Sequence, residues 1–265
     1  MDFSKPSRFW ELDFIRGLAV VMMVLYHFLY DLNYFGGYTL NVHSGLWLYF
    51  AEATAAIFIV LVGVSLTLSA SRSQMRGASE KLYLRFFKRG LRLFSLGLVV
   101  TLATYLLIGR GSILFGVLHF IGVSIVLAYP FLRLRTFNLF AGSIFILIGI
   151  YLQGLTFNFP WLLWLGLVPY NFYTLDYFPI FPWFGLVLIG IFLGNRFYQD
   201  GKRGFRLPDL SGSFIVDLLG TLGRNSLVIY LVHQPVIVAT CFSLVSYPPC
   251  IQAELRSNFL RKTYI

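Results

Sequence analysis

Long apolar segments alternate with short polar connections along most of the chain. Each apolar segment approaches the ~20 residues that a bilayer-spanning helix requires. The segments are residues 11–32, 46–70, 89–109, 112–132, 137–155, 179–198 and 219–246. This pattern predicts an all-α fold, a polytopic transmembrane helix bundle with about seven spans.

One apolar stretch is too short to be counted as a span. Residues 157–172, "FNFPWLLWLGLVPYNF", contain Pro160 and Pro169, and we interpret them as a re-entrant or interfacial segment. No polar block is long enough to fold separately. Residues 1–265 are therefore expected to form a single integral membrane domain that ends in a short tail, 247–265.

The composition supports a membrane location. The chain is 58% hydrophobic and 12% charged, whereas soluble domains average about 45–50% apolar and about 25% charged residues. The net charge of +10 could indicate a nucleic-acid partner. Basic residues in a polytopic protein more often report loop orientation, so the lipid bilayer is the expected partner and nucleic acid is not.

Lys and Arg are concentrated in alternate connections, which predicts a cytoplasmic N-terminus. The basic connections contain Lys5, Arg8, Arg72, Arg76, Lys81, Arg133, Arg135, Arg196, Lys202, Arg203 and Arg206. Residues 33–45 and 156–178 then lie outside. Basic residues in the C-terminal tail would also lie outside after seven spans, so an eighth span remains open.

The first span, "DFIRGLAVVMMVLYHFLYDL", contains four polar side chains that lipid does not favour. On a helix His27 lies about 20° around from Arg16, and Asp13 and Asp31 each about 60° around. The four residues therefore share one stripe. Arg16 and His27 are separated by about 16 Å along the axis, so the stripe lines a path rather than a single ion pair.

These side chains have both a functional and a structural interpretation. Asp13 is one turn from Arg16 and can neutralise it, although an interfacial ion pair with a snorkelling Arg16 is an equal alternative. His27 can accept a proton or attack a carbonyl carbon. With three polar neighbours on its stripe, a functional role for His27 is favoured over a packing role.

Other polar residues lie inside later spans. His119 occurs early in the fourth, within "FGVLHFIGVSIVLAY". The last span, "LGRNSLVIYLVHQP", begins with Arg224, Asn225 and Ser226 and continues to Tyr230 and His233. Ser226, Tyr230 and His233 share one helix face, and Pro235 should kink the helix. The set is expected to line a substrate pocket, with ordinary interhelical hydrogen bonding as the alternative.

Five ordered stretches resemble the heparan-α-glucosaminide N-acetyltransferase catalytic-domain-like family of bacterial membrane proteins. They are "RFWELDFIRGLAVVMMVLYHFLYDLNYF", "AAIFIVLVGVSL", "FGVLHFIGVSIVLAYP", "DYFPIFPWFGLVLIGIFLG" and "LGRNSLVIYLVHQPV". The resemblance implies a transmembrane acyltransferase. Its donor would be cytoplasmic acyl-CoA, with acetyl-CoA as the leading candidate, and its acceptor would be extracytoplasmic, with a glycan among the candidates.

The resemblance also implies site residues. Arg16 and His27 have the R-x10-H spacing found in the first span of membrane O-acyltransferases that modify polysaccharides. The lysosomal enzyme carries its working histidine in the first non-cytoplasmic loop, where His43 is the nearest match here. Asp31 could orient His27. Arg16 could hold CoA, and so could the basic run of Arg85, Lys88, Arg89 and Arg92, for which membrane orientation is the alternative.

Two other functions remain open. A transporter or flippase for a small solute or lipid could use the same polar stripe as a pathway, although no internal repeat is evident. A haem-binding membrane cytochrome could use two of His27, His119 and His233 as axial ligands. The leading interpretation requires no metal.

Overall fold

The computed structural model describes residues 8–35, 42, 44–75, 77, 81–109 and 111–244. Within these residues the chain forms eight α-helices and almost no sheet, so the all-α prediction is confirmed. The helices are α1 (Trp10–Phe35), α2 (Gly45–Met75), α3 (Leu82–Ile108), α4 (Val117–Leu127), α5 (Phe137–Gln153), α6 (Ile180–Phe197), α7 (Phe214–Arg224) and α8 (Ser226–Leu244). The predicted tail 247–265 lies outside the described residues.

Four helices are individually long and apolar enough to cross a membrane. These are α1, α2, α3 and α6, and α7 with α8 passes the same test as a bent pair. The described chain thus has four candidate spans, or five with the bent pair. The predicted spans 112–132 and 137–155 correspond to the shorter apolar helices α4 and α5, of 11 and 17 residues.

The last predicted span, 219–246, differs from the structure. It is divided between α7 and α8, which meet at a bend of 82°. At this break the Asn225 side-chain amide donates to the Thr221 carbonyl oxygen at 2.9 Å. The Asn225 backbone N–H donates to the same carbonyl oxygen at 3.2 Å, so the backbone and side chain of Asn225 both bond to the last turn of α7. The two helices together are long and apolar enough to form one span, which explains why a single helix was predicted despite the polar residues at the break.

The chain forms two compact units. The boundary falls within α2, after Phe58, and again between Arg206 and Leu207. The first unit contains α1, the beginning of α2, α7 and α8. The second contains the rest of α2 and the helices α3 to α6.

Glycine brings α1 and α7 together in the first unit. A Cβ atom built on Gly17 would collide with the backbone of Leu219, and one on Gly223 would collide with the backbone of Asp13. Small residues allow helix backbones to approach this closely in membrane proteins. The contact places the start of α8 beside the polar residues of α1.

Large apolar side chains and paired glycines build the second unit. Its core includes the fully buried Phe120, Phe184, Ile59, Leu66 and Leu188. Glycines face each other where α2 meets α6, where α3 meets α4 and where α5 meets α6. The pairs are Gly63 with Gly190, Gly90 with Gly122, and Gly142 with Gly185.

The segment between α5 and α6 is not a spanning helix, in agreement with its short apolar length. It contains the two-residue parallel strands β1 (Thr156–Phe157) and β2 (Val168–Pro169). The Tyr177 hydroxyl donates to the Leu163 carbonyl oxygen at 2.7 Å, and burial raises the pKa of this phenol. Tyr177 therefore keeps its hydroxyl proton, and its hydrogen bond joins the two ends of residues 163–177.

Candidate functional site

The N-terminal half of the predicted α1 stripe contains an ion pair. Arg16 Nη1 lies 3.0 Å from Asp13 Oδ1, one helical turn away. Asp13 is buried and Arg16 is half-buried. The expected pairing of these two residues is therefore present. The pair lies beside the α7 contact, because the Asp13 backbone is the group that faces Gly223.

His27 is half-buried further along α1, and its ring is oriented by the backbone. Nδ1 lies 2.9 Å from the Met23 carbonyl oxygen. Because a carbonyl oxygen only accepts hydrogen bonds, Nδ1 carries the proton of the neutral ring. The lone pair is then on Nε2, the nitrogen that can accept a proton or attack an acyl carbon.

His233 on α8 forms a direct ring contact with His27. The two ring centroids are 4.8 Å apart and the planes are nearly perpendicular, at 86°. Nδ1 of His233 donates to the Tyr230 carbonyl oxygen at 2.7 Å. Its Nε2 is buried and has no hydrogen-bond partner among the described residues. Both imidazoles thus use Nδ1 for the backbone and retain a lone pair on Nε2.

Asp31 contacts α8 rather than the ring of His27. Its carboxylate accepts from Gln234 Nε2, at 2.9 Å to one oxygen and 3.2 Å to the other. Only 2% of Asp31 is exposed, and a buried carboxylate requires such a donor. The expected orientation of His27 by Asp31 therefore does not take the form of a direct hydrogen bond: the Met23 carbonyl occupies Nδ1.

The remaining predicted residues of the last span divide into two groups. Tyr230 lies beside His233, with ring centroids 5.7 Å apart, and Ser226 is the first residue of α8. Arg224 instead donates to Thr221 Oγ1 at 2.7 Å, and Asn225 bonds the same residue's carbonyl. The side chains of Arg224 and Asn225 are exposed and complete the end of α7.

His119 belongs to the second unit and has a different environment. Its ring stacks on Phe115, with centroids 5.8 Å apart, and meets Phe94 edge-on at 5.2 Å. The Thr101 hydroxyl donates to the Ile113 carbonyl oxygen and lies 3.4 Å from His119 Nε2. Having donated its only proton, this hydroxyl accepts from Nε2. His119 is thus packed among rings in the core of its unit.

Two further predictions concern the charged surface and a loop. The basic side chains predicted to bind CoA are exposed at the beginning of α3; they are Arg85, Lys88, Arg89 and Arg92. They form one helical stripe, as their spacing requires. His43 lies outside the described residues. Within those residues, no group of three or more His, Cys, Asp or Glu side chains could hold a metal ion.

Gln234 and the backbone carbonyls were missed as parts of the site. The carbonyl oxygens of Met23 and Tyr230 orient the two histidines, and no side-chain pattern reveals such contacts. Gln234 did carry a signal, because an amide inside an apolar span needs a partner. Its partner lies 203 residues away, a distance that spacing arguments do not reach.

The chain matches a protein-family model that covers the site. The model is described as heparan-alpha-glucosaminide N-acetyltransferase, catalytic, and it matches residues 8–235. This range includes Asp13, Arg16, His27 and His233 and ends at Pro235. No curated protein and no solved structure matches the chain. The family suggested by the five sequence stretches is confirmed, and the chain belongs to the heparan-alpha-glucosaminide N-acetyltransferase catalytic-domain family.

Proposed function

We propose that this protein transfers an acyl group from cytoplasmic acyl-CoA to a hydroxyl or amine on an extracytoplasmic acceptor. Acetyl-CoA is the proposed donor and a glycan the proposed acceptor class. Membership in the family supports membrane acyl transfer as the general chemistry. The observation that carries the proposal is the contact between the rings of His27 and His233, which brings two imidazoles from different helices together.

The proposed reaction uses His27 as the base. The acceptor's O–H or N–H proton moves to His27 Nε2 while the acceptor atom bonds to the thioester carbon. The carbon–sulfur bond then breaks, and the proton passes from His27 to the departing sulfur. The products are the acylated acceptor and CoA with a free thiol, and His27 returns to its neutral form. General acid–base catalysis of this kind contributes typically 10²–10⁴-fold.

His233 is proposed to hold the acceptor. Its buried Nε2 is an acceptor without a protein donor among the described residues, so a substrate hydroxyl or amine can supply the missing hydrogen bond. Leaving such a group unsatisfied costs about 1–3 kcal/mol. For an amine acceptor, one N–H donates to His233 and His27 removes a second N–H proton. For a glycan hydroxyl, a neighbouring hydroxyl donates to His233 and His27 removes the proton of the hydroxyl that is acylated.

Arg16 is proposed to bind the phosphate or pantetheine part of CoA at the cytoplasmic end of α1. Its guanidinium bonds Asp13, and a guanidinium carries a planar fork of N–H donors whose geometry suits phosphate and carbonyl oxygens. The exposed basic run of α3 is proposed to attract the CoA phosphates, and this long-range effect should weaken with salt. Orientation in the membrane remains its alternative role.

Binding of acetyl-CoA tests the donor. We expect the purified protein to bind acetyl-CoA by isothermal titration, and Arg16→Ala to weaken binding about tenfold, which corresponds to about 1.4 kcal/mol. Arg206→Ala is the matched control, because Arg206 is an exposed arginine outside the site. Wild-type protein that binds no acetyl-CoA would refute the donor assignment.

The identity of the base is tested by two histidine variants. We expect His27→Ala to abolish transfer of radiolabelled acetyl groups to glucosaminide acceptors, and His43→Ala to leave most of the activity. The reverse result would move the base to His43. Full activity in both variants would remove both histidines from the mechanism.

The two other functions predict different observations. Substrate uptake or lipid flipping in proteoliposomes without CoA would support a transporter. A Soret absorbance band would support a cytochrome. For His27 and His233, however, the direct edge-to-face contact at 4.8 Å leaves no space for an iron between two axial rings, which favours acyl transfer over haem ligation by this pair.

A further inference from the structure

Gln234 connects α8 to α1 next to the histidine pair. Its Nε2 donates to both carboxylate oxygens of Asp31, at 2.9 and 3.2 Å. Asp31 is 2% exposed, and Gln234 is half-buried. Hydrogen bonds to a charged group are roughly twice as strong as those between neutral groups. The contact is therefore a strong connection between the two helices.

The connection and the histidine contact share the same two helices. Asp31 is one turn beyond His27 on α1, about 6 Å along the axis, and Gln234 directly follows His233 on α8. Two side-chain contacts between a pair of helices limit both sliding and rotation. A change at Gln234 should consequently change the position of the His233 ring relative to His27.

The backbone of α8 makes this side-chain connection more important. Pro235 lies inside the helix and has no N–H to donate to the Leu231 carbonyl oxygen, so one helical hydrogen bond is lost beside the site. The Tyr230 carbonyl oxygen additionally receives the His233 Nδ1 proton. Since this turn has fewer backbone restraints than an ordinary helical turn, a side-chain restraint on Gln234 controls its geometry.

We propose that the hydrogen-bonded pair Asp31–Gln234 is a positioning element for the histidine pair, and that Gln234 is a positioning residue of the enzyme. Asp31 then acts on the chemistry through Gln234 and α8 rather than by bonding the His27 ring. The kinetic part of this proposal rests on the proposed acyl transfer. The structural part does not rest on acyl transfer: it states that the Asp31–Gln234 hydrogen bonds determine how accessible the His27 and His233 rings are.

The kinetic test compares loss and rescue of the pair. We expect Gln234→Ala to lower kcat for acetyl transfer about tenfold, with KM for acetyl-CoA changed less than twofold. The exchange Asp31→Asn with Gln234→Glu restores an amide–carboxylate pair with its roles reversed, and it should recover kcat to within about threefold of wild type. Gln153→Ala, at the exposed end of α5, is the matched control and should retain wild-type kcat.

A second measurement does not require activity. Diethyl pyrocarbonate modifies imidazole nitrogens, and peptide mass spectrometry gives the rate separately for His27 and His233. We expect Gln234→Ala to raise the rate at His233 at least threefold and the exchange variant to restore it. In thermal unfolding, Asp31→Ala combined with Gln234→Ala should lower Tm no further than either single change.

The outcomes separate the two proposals. A folded Gln234→Ala protein with wild-type kcat would overturn the positioning role. If wild-type protein transfers no acyl group, the proposed function fails and the positioning element is judged on the other readouts alone. Unchanged modification rates together with additive Tm losses would then overturn it as well.

Discussion

His233 and His119 are both buried histidines in apolar helices, yet the two regions that contain them use the ring in opposite ways. His233 gives its Nδ1 proton to the backbone and meets a second histidine from another helix. His119 gives its Nε2 proton to a threonine and lies against two phenylalanine rings. Each ring retains one buried nitrogen without a partner among the described residues.

The difference lies in the neighbours. The ring of His233 lies against the ring of His27 and next to the Asp31–Gln234 pair in the chain, which is the arrangement that the proposed function uses. The ring of His119 fills the space above Gly97, where an added Cβ would meet ring atoms at 2.9 Å. A buried histidine is therefore evidence for chemistry only when another polar group of the site contacts it.

The largest effect that we expect is a loss of acetyl-transfer activity on substitution of His27, in the region that contains His233. We expect His27→Gln to lower kcat for acetyl transfer at least 100-fold, since it removes the proposed base, without loss of the folded protein by size-exclusion chromatography. Leu25→Ala, on the exposed face of α1, is the control. If His27→Gln retained more than a third of the activity, the His27–His233 region would have no better claim to catalysis than the His119 region.

In the region around His119, we expect a substitution to change the stability of the protein rather than its activity. Gly97→Ala inserts a methyl group against the His119 ring, and overpacking of this kind typically costs about 1–3 kcal/mol. We expect a lower Tm with an unchanged KM for acetyl-CoA. Gly212→Ala is the control, because a Cβ there meets nothing within 4 Å. An altered KM would connect His119 to the substrate site.

The same substitution in the two regions gives a smaller contrast. We expect His233→Gln to lower kcat about tenfold and to raise KM for the acceptor, because it removes a hydrogen-bond acceptor worth about 1–3 kcal/mol. His119→Gln should keep kcat within about threefold and lower Tm instead. Equal kinetic losses in both variants would contradict the assignment of His233 to the acceptor.

The smallest effect concerns the partner of His119. Thr101→Val removes the hydroxyl that bonds Ile113 and His119, and we expect a stability loss of about 1 kcal/mol with unchanged transfer activity. Thr240→Val is the control on α8, where the exposed hydroxyl bonds only the preceding turn. A clear loss of activity in Thr101→Val would make the His119 region functional.

Local features of the first helix were predictable from the sequence. The apolar segment 11–32 corresponds to α1, and the spacing of Asp13 and Arg16 predicts the ion pair that the structure contains. Both depend on contacts within about one turn, which helical geometry determines. The position of His27 on the same stripe follows from the same geometry.

Contacts between distant segments were not predictable in this way. The sequence pattern treats residues 219–246 as one span, whereas α7 ends at Arg224 and α8 begins at Ser226 after an 82° bend. Residues 112–132 shorten to the 11-residue α4 because the preceding chain is extended and pairs with the segment before α6. Hydropathy measures how compatible a segment is with lipid, and it carries no information about where a helix bends or ends.

The amino-acid sequence by itself determined the helical membrane class, the family, and the polar stripe of α1, because these depend on composition and on short-range helical periodicity. The tertiary structure alone decided which polar groups meet. Close backbone approach at Gly17 and Gly223 joins α1 to α7, and α8 then brings His233 to His27 and Gln234 to Asp31. Such pairings depend on side-chain packing between segments about 200 residues apart, and no local pattern encodes that packing.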